Sequence, residues 1–346
     1  MWRAATSKTT SARSGGLRVG LSGMAAALGE LITALAVYRT GSVANDADPL
    51  TRKRRSPNNG RRDPASITTL RAFPLNVQTG AHIRANGIRQ HYLHYPGQGA
   101  KLVIVPGIIT PAILWDNVAR SLAPEYDCYI LDVRGRGLSE SGPHLDYGVG
   151  SCARDVAELI RAKQLAKATL VGHSMGARIS ARVAREAPEV VRSLVLLDPP
   201  TSGPGRRAYP IPKARTLALL RSAHRGEGDP AKPPPRWSEE LHRLRLEWLP
   251  TCDERAVHVT YDDFHGEDFF ADVASAKVPV ALICAGQGDV VSDEDVAELK
   301  KLQPNLHAER LQGAGHQLQV EDFEGLRKLL GEALRRHDER IEKDAE

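Results

Sequence analysis

The chain has 346 residues, 41% of them hydrophobic, with 47 lysines and arginines against 42 aspartates and glutamates. This composition suits one large domain or two ordinary ones, and it excludes collagen, wholesale disorder and a multispan membrane protein. The net charge of +5 suggests nucleic-acid binding, but residues 1–65 hold 11 basic and 4 acidic side chains, which leaves 36 against 38 for the rest. We therefore expect no nucleic-acid partner for the body of the chain.

The N-terminal segment, residues 1–70, is predicted to be a disordered or processed basic extension, because it is rich in Ser, Thr, Gly and Arg. Its apolar stretch from Met24 to Tyr38 is interrupted by Glu30 and is too short to span a bilayer. The segment is interpreted either as a targeting peptide or as an extension without that role. We expect a cytoplasmic protein with no membrane partner, whose four widely spaced cysteines are reduced.

Beyond the extension, strand and helix patterns alternate. A hairpin is predicted over residues 82–95, around Asn86-Gly87. Short apolar runs typical of buried strands lie at residues 101–105, 128–131, 169–171, 194–197, 280–285 and 307–311. Helical patterns lie between and after them, at residues 113–122, 147–165, 175–187, 292–302 and 323–337. This alternation predicts an α/β fold with a mostly parallel central sheet and helices on both faces.

One stretch breaks the alternation. Residues 199–274 follow a strand but contain proline-rich turns and helical patterns before the next strand begins. We interpret this stretch as a helical cap inserted between two parts of the core, residues 71–198 and 275–340. Such a cap would lie over the carboxyl edge of the sheet, where ligands bind in open α/β folds.

The sequence Gly172-His-Ser-Met-Gly176 fits the pattern G-x-S-x-G, and it lies between a predicted strand and a predicted helix. In that setting the glycines permit a sharp turn that exposes the serine, so Ser174 is the candidate nucleophile. The backbone N–H groups of Met175 and of Ile108, which follows an earlier strand, are the candidate oxyanion-hole donors.

A nucleophilic serine needs a base and an orienting acid. His316 follows the last predicted strand and is the candidate base. Two acids compete for the third position, since Asp198 and Asp289 each follow a predicted strand at the same edge of the sheet. Sequence spacing does not separate them.

Together these residues resemble an α/β-hydrolase over residues 75–338. The sequence is most similar to the N-formylmaleamate deformylases of aerobic nicotinate breakdown, in the segments Val105–Ile108, Leu131–Ser139, Gly172–Arg178, Asp198–Arg207 and Glu247–Glu254. The resemblance implies a serine hydrolase that releases formate and maleamate, and it favours Asp198 as the acid. No dinucleotide fingerprint follows the first buried strand, and the acidic residues give no recognised metal-ligand pattern, so we expect no cofactor and no metal.

A substrate of this kind carries a carboxylate, which calls for a cation. The candidates are Arg178, one turn after the nucleophile, and Arg206 and Arg207 at the start of the cap. The alternatives are a carboxylesterase or a carbon–carbon bond hydrolase with the same triad, and a small-ligand receptor or scaffold without catalysis. The oligomeric state is not predicted.

Overall fold

The computed structural model describes residues 79–227 and 237–346. The expectations for residues 1–70, including a targeting peptide, lie outside the described residues. Within the part described, no helix combines the length and the hydropathy that a membrane span requires.

Eight strands form one sheet in the order β1-β2-β4-β3-β5-β6-β7-β8. Their bounds are Thr79–Ala85 (β1), Ile88–Tyr95 (β2), Lys101–Val105 (β3), Asp127–Leu131 (β4), Ala168–His173 (β5), Val191–Leu197 (β6), Val280–Ala285 (β7) and His307–Leu311 (β8). The first two strands make the predicted hairpin, with Asn86 and Gly87 both at positive φ, and β2 pairs antiparallel with β4. The pairs from β4 to β8 are parallel, which agrees with the predicted α/β architecture.

The helices are Asp116–Leu122 (α1), Val149–Ala162 (α2), Met175–Glu186 (α3), Lys213–His224 (α4), Glu239–Trp248 (α5), Glu254–Gly266 (α6), Phe269–Ala274 (α7), Asp293–Leu302 (α8), Leu318–Glu321 (α9) and Phe323–Ala345 (α10). Successive side chains of β3 enter opposite hydrophobic cores, as the pleat of a strand requires. Val103 and Val105 pack on the side of α2 and α3, whereas Leu102 and Ile104 pack on the side of α1 and α10. Both faces of the sheet are therefore covered.

Several helices differ from their predicted extents, and two of these differences have a physical reason. The pattern over residues 113–122 is a short 3-10 turn, Ala112–Trp115, followed by α1, because Pro111 fixes the chain at its entry. The last helix continues past His337 to Ala345, where it buries no further side chain. A hydrophobic pattern gives no signal for such an exposed charged extension.

The predicted cap, residues 199–274, contains α4, α5, α6 and α7 in its described part. Asp253 and Asp268 cap the N-termini of α6 and α7 with their side chains. Helix α7 is fastened to α3, because Arg182 and Arg185 both bind the buried carboxylate of Asp272.

All four cysteines of the chain are free and buried, namely Cys128, Cys152, Cys252 and Cys284. Burial raises the pKa of each thiol to about 12.

Candidate active site

Ser174 stands at the turn between β5 and α3, with φ at 52° and ψ at −116°. A positive φ is strained for a residue with a side chain, and here it presents the serine at the carboxyl edge of the sheet. The turn has no room for larger residues on either side. A Cβ on Gly172 would lie 2.3 Å from the carbonyl oxygen of Gly176, and a Cβ on Gly176 would lie 1.8 Å from that of Val105.

His316 lies between Ser174 and Asp198. Its Nε2 is 2.9 Å from Ser174 Oγ, and its Nδ1 is 2.7 Å from Asp198 Oδ2. The second carboxylate oxygen of Asp198 accepts the backbone N–H of Ala285 at 3.0 Å, and Asp198 is almost fully buried. The acid is thus fixed in place, and it orients the imidazole toward the serine.

Asp289 does not join this group. Its side chain is 81% exposed and lies 3.7 Å from Arg207. It follows β7 as predicted, but the loop after that strand carries its side chain into solvent. The structure therefore brings Asp198, and not Asp289, to His316.

The loop that carries His316 is held from two sides. Glu321 accepts the backbone N–H groups of Gly315 and Gln317, which flank His316. His173 Nε2 donates to the carbonyl oxygen of His316 at 2.8 Å, and burial lowers the pKa of His173 to about 3, so the ring is neutral. Neither residue was singled out from the sequence, although His173 occupies a variable position of the G-x-S-x-G motif.

The two candidate oxyanion donors lie on the loop after β3 and at the start of α3. The N–H of Met175 is in the first turn of a helix, where backbone N–H groups have no acceptor within the helix. The peptide that follows Ile108 is held by Arg136, whose Nε donates to the Ile108 carbonyl oxygen at 3.1 Å. The same guanidinium binds Ala256 O and Thr260 Oγ1 of α6, so it joins the candidate oxyanion loop to the cap.

A cavity of about 360 Å³ opens at Ser174 and His316. Cap residues form much of its wall, including Tyr209, Ile211, Arg215, Trp237, Arg245 and Tyr261. This volume suits a small organic substrate.

The three arginines expected at this cavity do not line it. Arg178 is buried and donates to four backbone carbonyls, those of Pro200, Ser202, Asp263 and Glu267. Burial lowers its pKa to about 10, so it stays charged at neutral pH while tying α3 to the cap. It lies on the face of α3 that packs against the cap, which spacing along the sequence did not reveal.

Arg206 and Arg207 face helix α8 instead of the cavity. Arg206 pairs with Glu298 at 2.6 Å and stacks on the ring of Phe270. Arg207 pairs with Asp295 at 2.8 Å and donates to carbonyls of the β7–α8 loop. The arginines that do reach the cavity are Arg215 of α4 and Arg245 of α5, which no sequence motif marked.

A sequence profile of the alpha/beta hydrolase fold matches residues 101–323. The chain is similar to the N-formylmaleamate deformylase of Pseudomonas putida, at 44% identity over 257 residues that make up 74% of this chain and 96% of that protein. It is also 35% identical over 102 residues to the 2-(acetamidomethylene)succinate hydrolase of Mesorhizobium japonicum, a match that spans 30% of this chain and 36% of that one.

Among solved structures, an N-formylmaleamic acid deformylase from Pseudomonas putida is 39% identical, with a TM-score of 0.68, and the match covers 73% of this chain and 100% of that chain. The structure of E-2-(acetamidomethylene)succinate hydrolase is 22% identical with a TM-score of 0.62, covering 75% and 100% of the two chains. The second likeness is one of fold.

Proposed function

The chain belongs to the alpha/beta hydrolase fold family, and from that premise we propose that it is a serine hydrolase that cleaves the formyl C–N bond of N-formylmaleamate. The observation that carries this proposal is the extent of the similarity to the Pseudomonas putida deformylase, which covers 96% of that protein. That match is long enough to include the cap, where substrate selection is expected. The hydrogen-bonded set of Ser174, His316 and Asp198, of which Ser174 and His316 line a cavity, supports a hydrolytic role.

In the proposed reaction, His316 takes the proton of Ser174 as Oγ attacks the formyl carbon. Asp198 stabilises the imidazolium, and the backbone N–H groups of Met175 and Ile108 receive the oxyanion. The C–N bond then breaks, and His316 gives its proton to the departing nitrogen. The neighbouring carbonyl of the maleamate stabilises this nitrogen, so it leaves more readily than a simple amine. Water, activated by His316, releases formate from the serine.

The substrate carboxylate is proposed to bind at Arg215. This side chain is exposed, lines the cavity, and forms no ion pair with an acid among residues 79–227 and 237–346. Arg178, Arg206 and Arg207 are committed to carbonyls and to carboxylates of the protein. A guanidinium at the cavity wall can bind a carboxylate through two parallel hydrogen bonds.

A small carboxylate-bearing molecule is thus the proposed partner, and the cytoplasm is the proposed location. The four free cysteines support a reducing compartment.

The deciding experiment is turnover of N-formylmaleamate by the full chain with detection of formate, beside a panel of short-chain esters. We expect a kcat/KM for N-formylmaleamate above that for every ester. The Ser174→Ala variant, assayed in parallel, should lose at least about three orders of magnitude in kcat. Preference for the esters would contradict the deformylase proposal, and failure of a fluorophosphonate to label Ser174 would contradict serine hydrolysis altogether.

A further inference from the structure

Tyr209 lies in the segment between β6 and α4, eleven residues after Asp198. Its ring is buried and packs edge-on against Tyr261 and Phe264, with ring centroids 5.8 and 5.2 Å away. Its backbone N–H donates to His265 Nε2 at 3.3 Å. The ring is therefore fixed by the cap, and its hydroxyl reaches the cavity beside His316.

Two hydroxyls converge on one nitrogen. Tyr209 Oη is 3.2 Å from His316 Nε2, and Ser174 Oγ is 2.9 Å from the same atom. When Nδ1 carries its hydrogen toward Asp198, the neutral imidazole has a single lone pair at Nε2, which accepts one good hydrogen bond. The serine is the nearer partner. The proton of Tyr209 is then available to another acceptor placed beside His316 Nε2.

Burial raises the pKa of Tyr209, and its hydrogen bond with Ser174 offsets only part of that rise. The phenol therefore keeps its proton at neutral pH and serves as a hydrogen-bond donor.

We propose that Tyr209 is a catalytic residue that donates a hydrogen bond to the leaving group of the substrate. The assignment rests on the proposed function, which makes the leaving group the amide of maleamate. His316 Nε2 must come within hydrogen-bond distance of the departing nitrogen in order to protonate it. A group placed there also lies beside the Tyr209 hydroxyl, which is 3.2 Å from the same Nε2.

Tyr209 keeps its proton throughout the proposed reaction. The Ser174 proton moves to His316 Nε2 as the bond from Oγ to the formyl carbon forms. When the C–N bond breaks, its electron pair passes to nitrogen and is shared with the adjacent carbonyl oxygen of maleamate. Tyr209 donates to that oxygen while it carries charge, and the Nε2 proton then moves to the nitrogen. Such a bond strengthens in the transition state and so accelerates the reaction.

The test is Tyr209→Phe, which keeps the ring contacts and removes only the hydroxyl. The substrates share the formyl group and differ in leaving group: N-formylmaleamate, and a series of aryl formates whose leaving phenols grow more acidic. We expect kcat/KM for N-formylmaleamate to fall about 100-fold, as for loss of one preorganised donor. For the most acidic phenol the loss should stay within about 3-fold, because that leaving group needs little assistance. The matched control is Tyr126→Phe, which removes a hydroxyl bound to Asp338 away from the cavity and should change neither rate.

An equal loss on all substrates would assign Tyr209 a structural role and overturn the proposal, and so would no loss on any. If the wild-type enzyme fails to cleave N-formylmaleamate, the proposed function fails, and the aryl series still tests Tyr209. A plot of log kcat/KM against the pKa of the leaving phenol should then be steeper for Tyr209→Phe than for wild type. Equal slopes would overturn the assignment.

Discussion

The catalytic edge of the sheet and the cap are built by different means. Ser174, Asp198 and His316 follow the ends of β5, β6 and β8, so hydrogen-bonded strands fix their relative positions. The cap is joined to that edge by two buried arginines of the core. Arg136 donates to the carbonyls of Ile108 in the core and Ala256 in the cap, whereas Arg178 of α3 donates only to carbonyls of the cap. From this difference we infer that the residues at the edge of the sheet carry out the reaction, whereas the residues of the cap select the substrate.

The largest effect expected on the sheet side comes from the acid. Asp198→Asn removes the charge that stabilises the imidazolium, so we expect kcat to fall by about four orders of magnitude. Asp289→Asn is the matched control, because its side chain is exposed and lies beside Arg207; its kcat should stay within about 2-fold of wild type. Steady-state kinetics of the two variants decide the assignment, and comparable losses would refute it.

The attachment of the cap is tested by Arg178→Met, which keeps an unbranched side chain but removes the guanidinium donor from four carbonyl oxygens. The Asp263 carbonyl still accepts the Glu267 N–H. We expect the free energy of unfolding to fall by roughly 2–4 kcal/mol, since buried acceptors are costly to leave unpaired. Urea denaturation followed by circular dichroism measures it. Arg161→Met, which removes a surface ion pair with Glu158 and Glu189, should cost less than about 1 kcal/mol. Equal costs would mean that Arg178 does not fasten the cap.

Selection by the cap is tested by Arg215→Gln. Loss of the guanidinium should raise KM for N-formylmaleamate about 10-fold and leave KM for a neutral ester unchanged, because only the anion loses a charged partner. Arg221→Gln lies on the same helix, α4, and pairs with Glu254, so it serves as the control. If KM for N-formylmaleamate stays at the wild-type value, Arg215 does not bind the carboxylate, and the carboxylate site lies elsewhere in the cavity.

The smallest effect concerns acid stability of the core. Burial lowers the pKa of His337, on α10, to about 4. The unfolded chain binds this proton below about pH 6.5 and the folded chain does not, so stability falls as the pH drops from 6.5 toward 4. His337→Leu removes this dependence, and the loss of unfolding free energy between pH 7 and pH 5.5 should shrink by about 1 kcal/mol. Urea titrations at the two pH values measure the change, and an unaltered pH dependence would contradict it.

Residues at the edge of the sheet could be predicted from the sequence more fully than residues of the cap. Ser174 and His316 are candidates from the sequence because a motif and strand ends mark them, and the structure places them within hydrogen-bond distance of each other. The alternating patterns of the sheet predicted the architecture. Spacing alone does not separate Asp198 from Asp289, because both follow strands and the direction of each side chain depends on local backbone geometry; only the family resemblance favours Asp198. At Asp198 that geometry is a φ of 43°.

Side chains of the cap, and those of the core that face it, were harder to place. Arg178, Arg206 and Arg207 were expected at the cavity, yet each binds other parts of the protein, whereas Tyr209 and Arg215 reach it without any motif. The sequence of a cap helix shows which residues are apolar, but it does not show which residue each polar side chain contacts. That depends on how the cap lies on the sheet, which the pattern of a single sequence does not encode.

The buried cysteines have a practical consequence for studying this enzyme. All four thiols are shielded and resist deprotonation, so maleimide reagents should leave the native protein unmodified. A cysteine introduced by Ala218→Cys, at an exposed position on the cavity wall, would then accept a single fluorophore with no native thiol removed. Such a conjugate would report the arrival and departure of ligands in real time.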